Sequence, residues 1–451
     1  MRTMNERILG LLARIWRDLG GAPELVERVR FTGEPAGLAS RFRVADLACA
    51  SIGAATLAAA ELWSLRRREP LREVTIDRRL ACAAFRCERL LELKGWKLPD
   101  IWDPLAGDYP TADGWIRLHT NYAHHQAAVL RVLGVAEEKG AVADAVKRWK
   151  ADGLEREVVA AGGASAALRT LEAWQAHPQG RALAAEPLVH WEGNVVPLLP
   201  RTVDAPLAGV RVLDLTRVIA GPVGTRYLAA FGADVLRIDP PGFVEMGPLL
   251  PETVRGKRCA FLDLKRPEGK AAFLDLVASA HVLVHGYRPG AMEALGLSFE
   301  RVKAANPALV VVRYDAYGWS GPWATRRGFD SLVQMSSGIA HPEAPGKPTP
   351  LPAQALDHGT GYLVAAAACR ALSGRRESAR LSLARTATLL VQLGLDGDRA
   401  MPAFGEPDFL LPAETEWGPV RQVPAAGRID GFEVKWRTRA GPLGRHAPRW
   451  E

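Results

Sequence analysis

The chain has 451 residues, 48% of them hydrophobic, enough for two or three domains with a substantial core. Its formal charge of +8 is spread through Arg-rich patches, with no recognition-helix, zinc-finger or stacking-aromatic motif beside it. A nucleic-acid partner therefore ranks behind solvated surface or a multiply phosphorylated small molecule. Five cysteines, Cys49, Cys82, Cys87, Cys259 and Cys369, are odd in number and lack metal-type spacing, which argues against a disulfide framework and a metal site. The start has helical spacing but charges throughout, and no uninterrupted apolar run matches a membrane span, so a soluble, cytoplasmic protein with no membrane partner is expected.

In chain order, residues 1–41 read as a helical leader broken by GGAP and TGEPAG. Residues 42–94 read as a long alanine-rich helix from near Asp46, a short alternating strand VTID, and another helix. Residues 95–191 form a segment of mixed type. DGWIRLHTN reads as a strand, and AHHQAAVLRVLG, AVADAVKRWKADGLEREVVAAGG and ASAALRTLEAWQAHPQG read as helices closed by glycine or proline. His119, His124 and His125 have no cysteine or carboxylate at ligand spacing and read as ordinary core or surface histidines. Residues 192–205 are proline-rich and polar, the composition of a linker.

Residues 206–392 change pattern: short Val- and Leu-rich strands alternate with helices, beginning with GVRVLDLT, GPVGTRYLAAFG and ADVLRID. That alternation predicts an α/β fold, a doubly wound parallel sheet covered on both faces, with ligands at the carboxyl ends of the strands. The turn after the first strand, TRVIAGPVG, is not a GxGxxG fingerprint, so no NAD or FAD is inferred. Its helix N-terminus could still receive a phosphate or carboxylate. Residues 393–451, rich in Pro and Gly, read as an extended tail.

Within LPAQALDHGTGYLVAAAACRAL, Asp357 meets the first turn of an alanine-rich helix, with Gly359 and Gly361 beside it. One reading makes it an N-cap. The other makes it a nucleophile, reached closely by a ligand because its neighbours lack a Cβ. Residues 42–94 align with this stretch, Asp46 on Asp357 and VTID on LSLA after a short gap, so a helix, basic turn, strand and helix occur twice.

From about Pro206 to Leu390 the motifs RVIAGP, RGKR, GYRPG, TRRGFDSLVQ and QALDHGTGY follow in order. Together they resemble the family III CoA-transferases, relatives of formyl-CoA and carnitine CoA-transferases with α-methylacyl-CoA racemase as an offshoot. The resemblance implies a Rossmann-like domain with a smaller α+β domain in an interlocked homodimer. It also implies transfer of coenzyme A from an acyl-CoA to a small carboxylic acid through an aspartyl mixed anhydride and aspartyl-CoA thioester. On the same ground Asp357 is the implied nucleophile and Asp330 a second active-site acid. Val218, Ala220 and Gly221, the basic Arg255, Lys257 and Arg258, then Tyr287, Arg288 and Pro289, and Arg327 fall in CoA-contacting stretches. Phe329 stands where the racemases carry a histidine, which favours transferase over racemase.

Three features depart from the resemblance. Ile219 replaces a polar residue, Pro240 and Pro241 stand where a basic residue often contacts the nucleotide, and a GGGGQ-type loop is absent. A CoA-ester-binding protein without catalysis is therefore the alternative, beside a racemase or isomerase. Domain order departs as well, because the stretch resembling the family's small domain, Gly95 to Val189, precedes the Asp357 helix. The expectation is a fused pseudo-dimer: a truncated first copy in which Asp46 is only a helix cap, then a second copy holding one complete site at Asp357.

Overall fold

The structure, a computed structural model, describes residues 3–193, 198–201, 204–375, 378–395, 397, 399–405 and 407–451. Residues 194–197 and 202–203 of the expected linker lie outside the described residues.

Six parallel strands and one antiparallel strand make the main sheet, in the order 257–261, 234–239, 211–215, 282–285, 310–315, 378–382 and 190–192. The six parallel strands are buried at nearly every position because both faces are covered. Alternate residues along each strand serve different cores. Val212, Val235, Val282 and Val310 pack toward the helices Ala220–Ala230 and Ala355–Arg370. Leu213, Leu236, Leu283 and Val311 pack with Phe273, Leu276 and Val277 of the helix Pro267–Ala278. The chain starts at strand 211–215, winds one way to 257–261, then returns to 282–285 and winds the other way. The strand order therefore reverses between 211–215 and 282–285, which opens a crevice at their carboxyl ends.

Residues 95–191 build a second core. Strands Gly107–Pro110, Trp115–Leu118 and Ser165–Ala167 form an antiparallel sheet. It packs against helices Ala123–Leu133, Lys139–Val146 and Ala151–Ala160 through Ile116, Leu118, Val129, Val142, Leu154 and Val158. Two expectations change here. The helix expected over AVADAVKRWKADGLEREVV is two, because the chain turns at Lys147–Lys150. The helix expected over ASAALRTLEAWQAHPQG is a strand, 165–167, followed by the helices Leu171–Ala176 and Pro178–Ala185. Pairing with Trp115–Leu118 overrides the helical preference of those alanines.

The two helices aligned in the sequence, Val44–Arg67 and Ala355–Arg370, pack along each other in the core. Val44–Arg67 is long and apolar enough to cross a membrane, contrary to the sequence expectation, but it is buried inside the protein. The tail is not merely extended. Strands Leu411–Thr415 and Gly418–Gln422 form a hairpin that pairs with Glu92–Leu93, and Gly427–Ile429 pairs with Val74–Asp77. Pro412 and Pro419 inside the hairpin hide it from a propensity reading.

Candidate active site

Around the crevice between strands 211–215 and 282–285 lies a cavity of about 310 Å³. The turn after the first strand contributes Leu215, Arg217, Val218 and Ala220 to its wall, and the turn after the fourth contributes Gly286, Tyr287 and Arg288. Tyr314, Asp315 and Ala316 come from the end of the next strand, and Arg326, Arg327 and Phe329 from the TRRGFD loop. Tyr122, His124 and His125 close it from the small domain, and Asp357 reaches it from the first turn of its helix.

Asp357 is the third residue of its helix. It is not the cap that one of its two sequence readings made it: the residue at the cap position is Gln354, without a side-chain capping bond. Asp330 supplies the acceptor instead. Its Oδ2 accepts the N–H groups of Leu356 at 2.8 Å and Asp357 at 2.9 Å, and its Oδ1 accepts from Gln334 Nε2. Gln334 Oε1 in turn accepts the N–H of Leu351 at 2.8 Å, which ties down the approach to the helix. Asp330, itself buried, thus fixes the backbone that carries Asp357. Those two N–H groups are occupied and are not free oxyanion donors.

No ion pair or hydrogen bond holds the Asp357 carboxylate among the described residues. Burial, then the Asp330 carboxylate, then Glu88 push its pKa well above the ordinary aspartate range. Asp330 is pushed up to about 6 by burial, opposed by the helix N–H groups and Gln334 that it accepts from. We take Asp330 as the member that ionises first, since its oxygens already meet donors. Asp46 occupies the same third helical position in Val44–Arg67, yet Arg7 holds it at 3.2 Å and Arg43 at 4.0 Å. It is an ion-paired residue, not the helix cap expected.

The two glycines after Asp357 do not clear a path for a ligand. A Cβ on Gly361 would stand 2.3 Å from the carbonyl oxygen of Ala220, and one on Gly224 would stand 2.6 Å from that of Gly361. They let the helices Ala220–Ala230 and Ala355–Arg370 touch backbone to backbone. Gly359 faces Thr386 and Leu47. Gly221 also serves packing, because a Cβ there would meet Thr216 at 2.4 Å and the Tyr314 ring at 2.7 Å. Val218, beside the cavity, has φ 64°, a left-handed conformation that a β-branched residue adopts only under constraint.

The constraint comes from below. Asp214, fully buried, accepts from the Thr216 N–H at 2.8 Å, the Thr225 hydroxyl at 2.6 Å and Lys257 Nζ at 2.8 Å, and Lys257 also donates to Pro222 O at 3.0 Å. Lys257 is therefore a strut under the Val218 turn, with its pKa lowered to about 8 by burial. Arg255 lies over the Trp436 ring at 3.8 Å and pairs with Glu252, and Arg258 grips Asp234 at the amino end of its strand. The structure places all three RGKR cations away from the cavity, and Pro289 is not on its wall either. Val218, Ala220, Tyr287, Arg288, Arg327 and Asp357 are brought together, with Asp330 directly behind.

Three cavity guanidiniums have no carboxylate partner among the described residues. Arg217 stacks on Phe243 at 3.6 Å, Arg288 donates to Thr325 O at 3.4 Å, and Arg327 donates to Gly162 O at 3.1 Å. Arg288, Arg326 and Arg327 also line an adjoining space of about 630 Å³ together with Arg156 and Arg169. A cavity with unpaired cations on one side and a buried carboxylate at its base suits an anionic ligand that presents an electrophilic carbon.

Sequence reading missed Arg217, His124 and His125, which carry no spacing signal. His358 turns away from the cavity, its Nε2 3.2 Å from Glu88 and its ring stacked on Phe85. Cys87, Glu88 and His358 lie within 4.8 Å of one another, a ligand-type grouping the sequence did not suggest. The Arg226 guanidinium stands 3.6 Å from the Cys87 sulfur, which opposes a cation there.

Residues 207–396 match the family model described as CoA-transferase family III. The "Probable fatty acyl-CoA transferase" of Mycobacterium tuberculosis is 33% identical over 213 residues, 44% of this chain and 54% of that protein. The succinyl-CoA–L-malate CoA-transferase β subunit of Chloroflexus aurantiacus is 33% identical over 219 residues, covering 45% and 54%. The acetyl-CoA:oxalate CoA-transferase of Acetobacter aceti is 36% identical over 151 residues, covering 31% and 39%. A crystal structure of a hypothetical protein from M. tuberculosis has 32% identity, a TM-score of 0.39, and coverage of 42% of this chain and 58% of that one. The chain spans about half the length, or less, of these curated relatives.

Proposed function

We propose that this protein, whose residues 207–396 match the family model described as CoA-transferase family III, moves coenzyme A between carboxylic acids with Asp357 as nucleophile. One observation carries the reading: the buried Asp357 carboxylate is open to a cavity whose rim bears Arg217, Arg288 and Arg327 without carboxylate partners among the described residues. The diphosphate-bearing cofactor meets the arginines, and its thioester carbonyl meets the aspartate.

The steps balance without a metal or a redox partner. In its ionised form Asp357 attacks the thioester carbonyl carbon through one carboxylate oxygen, the C–S bond breaks, and the CoA thiolate leaves a mixed anhydride. The thiolate then attacks the Asp357 carboxyl carbon and releases the donor acid as its carboxylate. The acceptor carboxylate attacks this aspartyl thioester, the thiolate departs again, and its attack on the acceptor's acyl carbon frees Asp357. Burial of Asp357 removes the hydration that would blunt its attack.

We propose further that one chain holds a complete site as a fused pseudo-dimer. Tyr122, His124 and His125 from the front segment meet Asp357 from the rear one within a single chain. Asp46, at the equivalent helical position, is neutralised by Arg7 and Arg43 and takes no part.

The test is peptide mass spectrometry after incubation with a panel of acyl-CoA thioesters and hydroxylamine, which turns an activated aspartyl carboxyl into a hydroxamate. The expected mark is on Asp357 and absent from Asp46. Asp357→Ala is expected to lose at least about 1,000-fold in CoA exchange while still binding CoA esters. An unmodified Asp357 with bound thioester would leave a CoA-ester-binding protein without catalysis.

A further inference from the structure

His125 is 3% exposed, and neither ring nitrogen has a hydrogen-bond partner among the described residues. Buried polar atoms are rarely left so, because their desolvation goes uncompensated. The ring lies on the wall of the cavity that holds Asp357, so a partner can reach it from there. Its orientation is fixed by neighbours on several sides. His124 packs at 4.1 Å between ring centres, Tyr122 at 5.6 Å in a perpendicular contact, and Phe329 at 5.8 Å edge-on. Phe329 is in turn stacked on His119 at 3.7 Å. This aromatic wall rests on the residue next to Asp330, which anchors the Asp357 helix.

The charge state suits a hydrogen-bonding role. Burial first, then His124, Arg327 and Arg288, lower the His125 pKa to about 3. At neutral pH the ring has one N–H to donate and one lone pair to accept. The same cavity wall carries the apolar or aromatic Phe329, Ala316, Leu383 and Tyr314. Such a wall accepts an alkyl acyl group but leaves the imidazole unsatisfied beside it. An acyl group with an oxygen substituent satisfies it. Discrimination of this kind exceeds what an added methylene achieves, because the analogue lacking the oxygen leaves a buried donor unpaired.

We propose that His125 is a specificity-determining residue that hydrogen-bonds an oxygen substituent, hydroxyl or carboxyl, on the acyl group presented to Asp357. The inference rests on the CoA-ester reading above and narrows its substrate class to oxygen-bearing acids.

The test is equilibrium binding by calorimetry to the Asp357→Asn protein, in which turnover is blocked, using butyryl-CoA, 3-hydroxybutyryl-CoA and succinyl-CoA. At least one oxygen-bearing ester is expected to bind about fivefold or more tighter than butyryl-CoA, the yield of one net hydrogen bond. Adding His125→Phe, which keeps an aromatic ring but no nitrogen, brings the three esters within about twofold and leaves butyryl-CoA unchanged. His125→Gln, which keeps a donor, retains most of the preference. A stronger response to succinyl-CoA assigns a carboxylate, and one to 3-hydroxybutyryl-CoA a hydroxyl. Binding of all three without discrimination, or equal weakening of all three by His125→Phe, overturns the proposal and leaves the CoA-ester reading standing. No binding by any ester, butyryl-CoA included, removes both.

Discussion

At the scale of single residues, the site is a set of carboxyl groups kept in different states by different surroundings. Asp315 illustrates the physics outside the proposed nucleophile. Its Oδ1 accepts the Gly318 N–H at 2.8 Å, its Oδ2 meets no donor among the described residues, and burial pushes its pKa up to about 8. The unfolded chain gives it an ordinary value near ~4. A carboxyl raised on folding contributes stability that is complete below the unfolded value and is lost as pH rises through about 8. Thermal midpoints of Asp315→Asn are therefore expected to fall less than those of the parent between pH 4 and 8. Midpoints that fall in parallel in the two proteins between pH 4 and 8 would count against a protonated Asp315. Which charges are buried is what a linear reading could not see. Lys257 and Arg288 look alike in RGKR and GYRPG, but Asp214 draws the first beneath a turn and nothing draws the second from the cavity. Asp357 and Asp330 were legible because each sits in a motif, whereas the His124-His125 pair belongs to none.

At the scale of elements, the helix crossing at Gly224 and Gly361 sets the depth of the site. A methyl group at residue 361 must push Ala220, the first residue of the helix beside the cavity, away from the Asp357 helix. Gly361→Ala is expected to cost about 1–3 kcal/mol, overpacking outweighing the better helix propensity of alanine. Urea unfolding measures it as a lower midpoint at unchanged slope. Gly153, half-buried in the helix Ala151–Ala160, has nothing within 4 Å of an added Cβ. Gly153→Ala is the matched control and is expected to stabilise by up to about 1 kcal/mol. A destabilised control alongside an unaffected Gly361→Ala would contradict the close crossing. Strands such as Val282–His285 and Val310–Asp315 were readable because burial on both faces gives them runs of valine and leucine. Ser165–Ala167 and Leu411–Thr415 were not, since short pairing partners far along the chain, rather than composition, make them strands. The glycines of DHGTG were seen but assigned to ligand access, because sequence does not reveal a neighbouring helix.

At the scale of the molecule, the cavity draws walls from residues 122–125 and from residues 215–383 of the same chain. If one chain carries the complete site, specific activity per chain stays constant on dilution from micromolar to nanomolar protein. A fall with the square-law signature of a dissociating dimer would require a second chain at the site. The alignment of Asp46 with Asp357 was visible in the sequence, and the two helices that carry them pack together. What the two aspartates do was not visible, because Arg7, which neutralises Asp46, lies 39 positions away.

The small sheet of strands 29–32, 74–77 and 427–429 carries a consequence in time. Its third strand is synthesised about 350 residues after the second. Until Gly427 leaves the ribosome, Val74–Asp77 presents an unpaired edge while the long apolar helix Val44–Arg67 before it awaits its partner at Ala355. This sheet therefore closes only after residue 427 has been made, so the nascent chain carries an open strand edge through about 350 residues of synthesis and an unpartnered apolar helix through most of them.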